Sequence, residues 1–348
     1  MSNAIKFLIG VIAGAVGLVA IIALVFVGLE ARGQLKAPPF ANRLSFDEKM
    51  RVLRENPPNH LDALFVGSST TLHGLDGAVL RQELGIEGDL LNLGVQDLRV
   101  NQIKFMADVF LEQFSGVEHV VMISTLLDYK DCGTTETRFF QPEDIVDYVS
   151  NGWPELYYYF RYLDIRGVLA RAPQMEHLRS TIHDLEAVSF DRHGSVLLEV
   201  PRENIVDRVW YGDPIVLDPP CYESLQALAR DLRARGITFT LVISPMRPGY
   251  LAGRDADGSL LAQHRQLIGA ALDGTGAIVI DAHEALDMPD EAFFDAYHLH
   301  RDEARALTRY VGDQMVAAME RPREPDVAGP EAAVKVSGSK LPAPAGGS

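Results

Sequence analysis

Hydrophobic and polar positions divide the chain into three regimes. Residues 7–29 are apolar and carry no charge. Residues 61–127 and 222–319 alternate short apolar runs with stretches of helical periodicity. Residues 128–219 keep neither rhythm. A terminal run that is apolar all round reads as a membrane span rather than a core helix. As a helix it measures roughly 34 Å at about 1.5 Å per residue, against about 30 Å for a hydrocarbon core.

The short apolar runs at 61–66, 89–93, 117–124, 237–243 and 277–280 have the length of buried strands, and most end near a glycine or serine. Helices are expected over 45–55, 76–84, 96–114, 225–235, 260–272 and 302–319. Ser45 and Glu48 have capping-box spacing, Pro57 and Pro58 stop the first helix, and Gly85 and Gly236 suit C-terminal caps. Strands buried on both faces and alternating with amphipathic helices predict an α/β fold, a three-layer α/β/α sandwich with a mostly parallel sheet.

The stretch 128–219 is too long for a crossover loop and reads as an inserted subdomain. Its aromatic run Trp153-Pro154-Glu155-Leu156-Tyr157-Tyr158-Tyr159-Phe160-Arg161-Tyr162 suits a packed helix, with a substrate-contact wall or a membrane-near surface as the other readings. Residues 189–211 suit short strands or irregular structure. The expected organisation is a cytoplasmic end (1–6), a transmembrane helix (7–29), a linker and short helix (30–60), the α/β domain (61–320) and a Pro/Ala/Gly/Ser-rich disordered tail (321–348).

Charge changes the picture in two ways. The start amine and Lys6 precede the apolar run, while Glu30, Arg32 and Lys36 follow it. This slight bias places the N-terminus in the cytoplasm and the body in the periplasm or exterior. A cleaved signal peptide competes, but the run exceeds a usual h-region and Gly28-Leu29-Glu30-Ala31-Arg32 is a poor cleavage site. A single-pass, uncleaved anchor in the inner or cytoplasmic membrane is expected. Gly10 and Gly14 have the spacing of a helix-packing face, although glycine is common in such helices. The formal net charge of -16 argues against holding a nucleic-acid backbone by bulk electrostatics.

The two cysteines, Cys132 and Cys221, suit either a disulfide in an exported domain or two isolated thiols. His177 and His183 lack metal-site spacing, and no phosphate-cradling motif occurs. No cofactor or metal is expected.

Candidate chemistry concentrates at two distant segments. Gly67-Ser68-Ser69-Thr70 follows the first strand, where open α/β sheets collect ligands. A serine there can act as a nucleophile if a base is near, yet all three hydroxyl residues also suit helix caps. Asp295-Ala296-Tyr297-His298 follows the last strand. Its carboxylate can orient and strengthen an imidazole base, or simply cap a turn. His300 is an alternative base. Asp128, Asp131 and Cys132 form a third polar cluster, suited to a site rim or to an ordinary loop.

Together these segments resemble the SGNH hydrolase superfamily, also called GDSL-like esterases. Gly67-Ser68-Ser69 matches the family's first block and makes Ser69 the nucleophile. Asp295-Ala296-Tyr297-His298 matches its last block, with His298 as base and Asp295 as partner. Asn92-Leu93-Gly94 matches the second block, with Gly94 joining Ser69 as an oxyanion donor. The third block departs: Ile123-Ser124-Thr125-Leu126-Leu127-Asp128 has no asparagine where the family often carries one. Ser124 or Thr125 then stands as substitute donor, and a lost donor costs roughly 3–4 kcal/mol in the transition state.

The resemblance implies serine-dependent acyl-ester transfer or hydrolysis on a cell-envelope carbohydrate or polymer. The anchored layout resembles proteins of polysaccharide O-acetylation and teichoic-acid D-alanylation. That implies an acylated envelope glycan as substrate and a multispanning membrane O-acyltransferase as partner. A noncatalytic envelope-assembly or polysaccharide-binding protein on the same fold is the rival.

Overall fold

The computed structural model describes residues 2–58, 60–85, 89–201 and 215–319. The expected tail, and residues 202–211 of the stretch expected to be irregular, lie outside them. Five strands form one sheet: β1 (Leu61–Gly67), β2 (Asp89–Asn92), β3 (His119–Ser124), β4 (Thr238–Ile243) and β5 (Ile278–Asp281). Every pairing is parallel and the order is β2-β1-β3-β4-β5. The order reverses direction between β1 and β3, so the crevice beyond their carboxyl ends is a topological switch point.

In chain order the helices are α1 (Asn3–Glu30), α2 (Leu44–Glu55), α3 (Ser69–Gly74), α4 (Gly77–Leu84), α5 (Val100–Gln113), α6 (Pro142–Val149), α7 (Glu155–Arg161), α8 (Ile165–Ser180), α9 (Pro219–Ala234), α10 (Pro248–Arg254), α11 (Ser259–Leu272), α12 (Ala282–Ala285) and α13 (Arg301–Met319). The period-2 alternation of each strand sends its side chains to two cores. Leu64, Val66, Val120, Met122, Leu241 and Ile243 join α2, α5, α9 and α11 on one face. Ala63, Phe65, Val121, Ile123 and Val242 join α4, α12 and α13 on the other. Both faces are covered over the inner strands, which is why these read as continuous apolar runs, while Val279 of edge strand β5 stays open.

Several boundaries differ from expectation for local reasons. The expected helix over 96–114 begins only at Val100, because Asp97 takes a positive φ of 60° that a helix does not accept. Arg43, not Ser45, is the N-cap residue of α2. The Ser45 hydroxyl instead accepts the Gln96 amide at 3.1 Å, and Glu48 accepts the Ala37 amide at 2.6 Å. Asp76 caps α4 through the amides of Ala78 and Val79, and Gly85 closes it in the left-handed region.

α1 is 28 residues long and holds an 18-residue window with a mean hydropathy of 2.9, long and apolar enough to cross a membrane. The segment after it, expected as a linker, is sewn onto the domain. Leu35, Ala37 and Phe40 are buried. Arg51 donates to the Leu35 carbonyl at 2.8 Å and pairs with Glu30 at 3.6 Å and Glu155 at 3.0 Å. Arg179 donates to the Leu35 carbonyl and pairs with Glu48 at 2.9 Å.

The inserted stretch contributes α6, α7 and α8. Within the aromatic run, Tyr158 and Tyr159 are buried, and Tyr158 packs edge-on to Phe40 and Tyr148. The two cysteines are joined: Cys132–Cys221, Cα–Cα 5.3 Å, closes a separation of 89 residues and ties both ends of the insertion together. Loop-closure entropy assigns such a bridge about 4–5 kcal/mol. Urea unfolding of Cys132→Ser/Cys221→Ser is expected to show a loss of that order, and an unchanged midpoint would contradict it.

Candidate active site

The turn leaving β1 sets the first element. A Cβ on Gly67 would lie 1.9 Å from Thr71 Oγ1, so only glycine lets the chain fold so tightly into α3. Thr71 Oγ1 donates to the Ile123 carbonyl at 2.8 Å, which locks α3 to the end of β3. Ser69 is then the first residue of α3. Its amide belongs to the first turn, where helix geometry supplies no intrahelical acceptor.

The second element is the loop before α13. It is closed by an antiparallel bridge between Phe293 and Leu299 and by the Phe294 amide on the His298 carbonyl at 3.1 Å. Its apolar side chains plug three separate cores. Phe293 enters the cluster under α13, Phe294 packs with Leu72, Val196 and Leu198, and Tyr297 packs with Leu126 and Met246. Three anchors in five residues hold the intervening polar side chains in place.

These elements bring Ser69, His298 and Asp295 into one hydrogen-bonded line. Ser69 Oγ lies 2.8 Å from His298 Nε2, and His298 Nδ1 lies 2.6 Å from Asp295 Oδ2. A carboxylate only accepts, so the Nδ1 proton faces Asp295 and the Nε2 lone pair faces the serine hydroxyl. Asp295 and His298 are buried, while Ser69 is partly open. Both readings of Asp295 apply at once. Oδ1 caps the turn by accepting the amides of Tyr297 and His298, each at 2.8 Å, while Oδ2 takes the imidazole.

Neighbouring groups tune this line. Phe294 stacks parallel to His298, with centroids 5.4 Å apart and planes 6° apart. His73 meets it edge-on at 5.6 Å and donates from Nδ1 to the Val196 carbonyl at 2.8 Å. Burial, reinforced by the neighbouring His298, pushes His73 down to about 3, so it stays neutral beside this line. Ser68 is buried, bonds Thr70 Oγ1 at 3.2 Å and hydrogen-bonds Asp128. His300 packs against Phe294 and its ring nitrogens have no hydrogen-bond partner. Ser69 and His298 therefore hold the positions that Ser68 and His300 competed for.

Gly94 is the point of correction. Its amide, expected to face an oxyanion, donates to Asn92 Oδ1 at 2.7 Å. A Cβ there would sit 2.4 Å from the Leu72 amide nitrogen, so glycine serves close packing of β2's end against α3. Asn92, a residue the sequence reading gave no role, also donates from Nδ2 to the Thr71 carbonyl at 2.8 Å and to Ser195 Oγ at 2.9 Å. Lys49, fully buried, donates to the carbonyls of Asn92 and Gly94, each at 2.6 Å. Nothing in the α2 pattern marks Lys49 as interior. The only local hint for Asn92 is an amide side chain directly after Leu90 and Leu91 at the end of β2.

The third-block position is likewise occupied. The Ser124 hydroxyl contacts Tyr129 OH at 3.4 Å, and the Thr125 amide donates to Asp128 Oδ2 at 2.9 Å. Asp128 is buried, and desolvation raises it to about 6 despite its hydrogen bonds to Ser68 and the Thr125 amide. Among the described residues, no group of three or more His, Cys, Asp or Glu is arranged to hold a metal ion. Scanned against protein-family models the chain matches none, and a search of curated proteins finds no match.

Proposed function

We propose that this chain is a divergent SGNH-like, serine-dependent acyl-transfer protein acting on an acylated cell-envelope carbohydrate or polymer. The observation that carries the reading is the unbroken Ser69–His298–Asp295 line at the switch point of an all-parallel sheet. In this reading Ser69 Oγ attacks an ester carbonyl as its proton passes to His298 Nε2. The ester C–O bond breaks, and the departing alcohol takes that proton from His298. Water or a sugar hydroxyl then attacks the acyl-serine, giving hydrolysis or O-acyl transfer. The Ser69 amide, in the first turn of α3, is the donor proposed for the developing oxyanion. A body held outside the cytoplasm by α1 is part of the proposal. The Cys132–Cys221 bridge supports it, since such bonds persist in oxidising compartments. The proposed partner is a multispanning membrane O-acyltransferase.

The engaged Gly94 amide supports a second reading, a noncatalytic polysaccharide-binding or assembly protein on the same fold. Acyl trapping separates the two. The full chain in detergent, incubated with an activated acetyl ester, is expected to carry an acetyl adduct on the Ser69 peptide by mass spectrometry, absent from Ser69→Ala. No adduct with any donor, together with unchanged envelope acylation in cells carrying Ser69→Ala, would select the second reading.

A further inference from the structure

We infer that the outer face of α7 and the first turns of α8 rest on the membrane surface beside α1, so that the domain is seated on the bilayer rather than tethered above it. Three observations carry this. First, α1 does not leave the domain as a free stalk. Phe26 is buried against Tyr159 and Val168, with Ile22, Leu29 and Ile165 packed around them, and its ring lies 5.0 Å from Tyr159 and 6.2 Å from Phe160. From Ile22 to Glu30 the contact covers about 12 Å of helix axis. That places α7 and α8 against the last turns of the apolar run, near the depth of about 5–10 Å at which interfacial helices lie.

Second, exposed apolar side chains gather on α7 and the first turns of α8, next to α1, while the far half of α8 exposes Gln174, Glu176 and His177. Tyr157 and Phe160 lie one turn apart on α7 and Trp153 just precedes the helix; Trp153 stacks on Tyr157 at 5.4 Å, and the Phe160 ring packs against Phe26. Trp153 is 55% exposed, and Leu163 and Leu169 are each 50% exposed, with Leu156 and Tyr157 also open. Arg166 is exposed between the last two leucines. Aromatic rings, leucines and an arginine on adjoining segments match the chemistry of a headgroup boundary. Third, the junction is clamped. Arg51 joins Glu30 at the end of α1 to Glu155 at the start of α7 and bonds Tyr159. Lys36 pairs with Asp164 at 3.1 Å. The height and rotation of the domain are thereby set by side chains, not by linker length.

Tryptophan fluorescence tests this on the full chain. The sequence has two tryptophans, so Trp210→Phe leaves Trp153 as sole reporter. In phosphatidylcholine vesicles, Trp153 emission is expected to be blue-shifted. Lipids brominated near the headgroup end of the acyl chain should quench it by roughly half or more, and lipids brominated near the chain end should quench it less. Adding Leu156→Glu and Leu163→Glu should reduce the quenching at least about twofold with thermal unfolding unchanged. Water-like emission without quenching would overturn the inference. So would a blue shift insensitive to brominated lipid and lost on dilution in the bilayer, which would assign the face to a second copy of the chain.

Discussion

Replacing Ser69 with alanine is expected to lower acyl turnover by roughly 10⁴–10⁶-fold, and adding His298→Ala to that variant is expected to cost almost nothing more. The two act as a unit: without Oγ there is no proton for Nε2 to accept. Asp295→Asn is expected to lose about 10⁴-fold for a different reason. The amides of Tyr297 and His298 both point at Oδ1, and only an oxygen can accept them. They therefore hold the asparagine with its oxygen toward the turn and its NH₂ toward His298 Nδ1. The imidazole must answer with a lone pair at Nδ1, which moves its proton to Nε2, facing Ser69. The geometry survives while the base is switched off. Ser68→Ala, which removes a hydroxyl bonded to Thr70 and Asp128 rather than to His298, is expected to stay within about tenfold of wild type. Steady-state kinetics with an activated ester measure all four, and Ser69→Ala within tenfold of wild type would end the catalytic reading.

Acidification is expected to destabilise the domain through two histidines buried in the neutral form. His73 and His264 are each pushed down from 6.5 to about 3, chiefly by burial. His264 lies in the Tyr129–Tyr222 cluster and is bonded to Tyr222 OH at 2.7 Å. Below 6.5 the unfolded chain binds protons that the folded chain refuses. Their contribution is thus complete above 6.5 and is lost as pH falls toward 3. From pH 6.5 to 4.5 each loses about 2.3 kcal/mol. Asp128 works in the opposite sense. Raised to about 6, it favours the folded state below its unfolded value and loses that advantage as pH rises through 6. It returns about 2 kcal/mol over the same descent. These three groups together contribute a fall of about 3 kcal/mol, a large share of a typical 5–15 kcal/mol. Urea unfolding at stepped pH should show a loss over this descent about 2 kcal/mol smaller in His73→Gln than in wild type and about 2 kcal/mol larger in Asp128→Asn. A His73→Gln profile parallel to wild type would refute the assignment.

The elements were legible because their signals are local. Five apolar runs became five parallel strands, displaced by no more than two residues at their ends. Asp76 and Gly85 bound α4 as their cap chemistry requires. The polar residues of α2 were not legible. Asp47, Glu48, Lys49 and Arg51 are all buried, although such a pattern reads as a solvated face. They are interior because the strap 33–41 and α8 cover Asp47, Glu48 and Arg51 while Lys49 reaches the carbonyls of Asn92 and Gly94, and coverage by distant chain leaves no mark on the helix itself.

The candidate site divides along the same line. By itself the sequence determined the apolar span, the alternation that makes a sheet buried on both faces, and the short list of nucleophile, base and acid. Strand period, helix period and turn chemistry act over a few residues, and each is written in adjacent positions. Only the tertiary structure decided that Ser69 and not Ser68 meets His298 across 229 residues, and that His300 does not compete. It also decided that Cys132 and Cys221 pair, and that the Gly94 amide serves Asn92. Each of these is a choice among chemically equivalent groups. It is settled by where sheet register, close glycine packing and three buried aromatic anchors carry them in space.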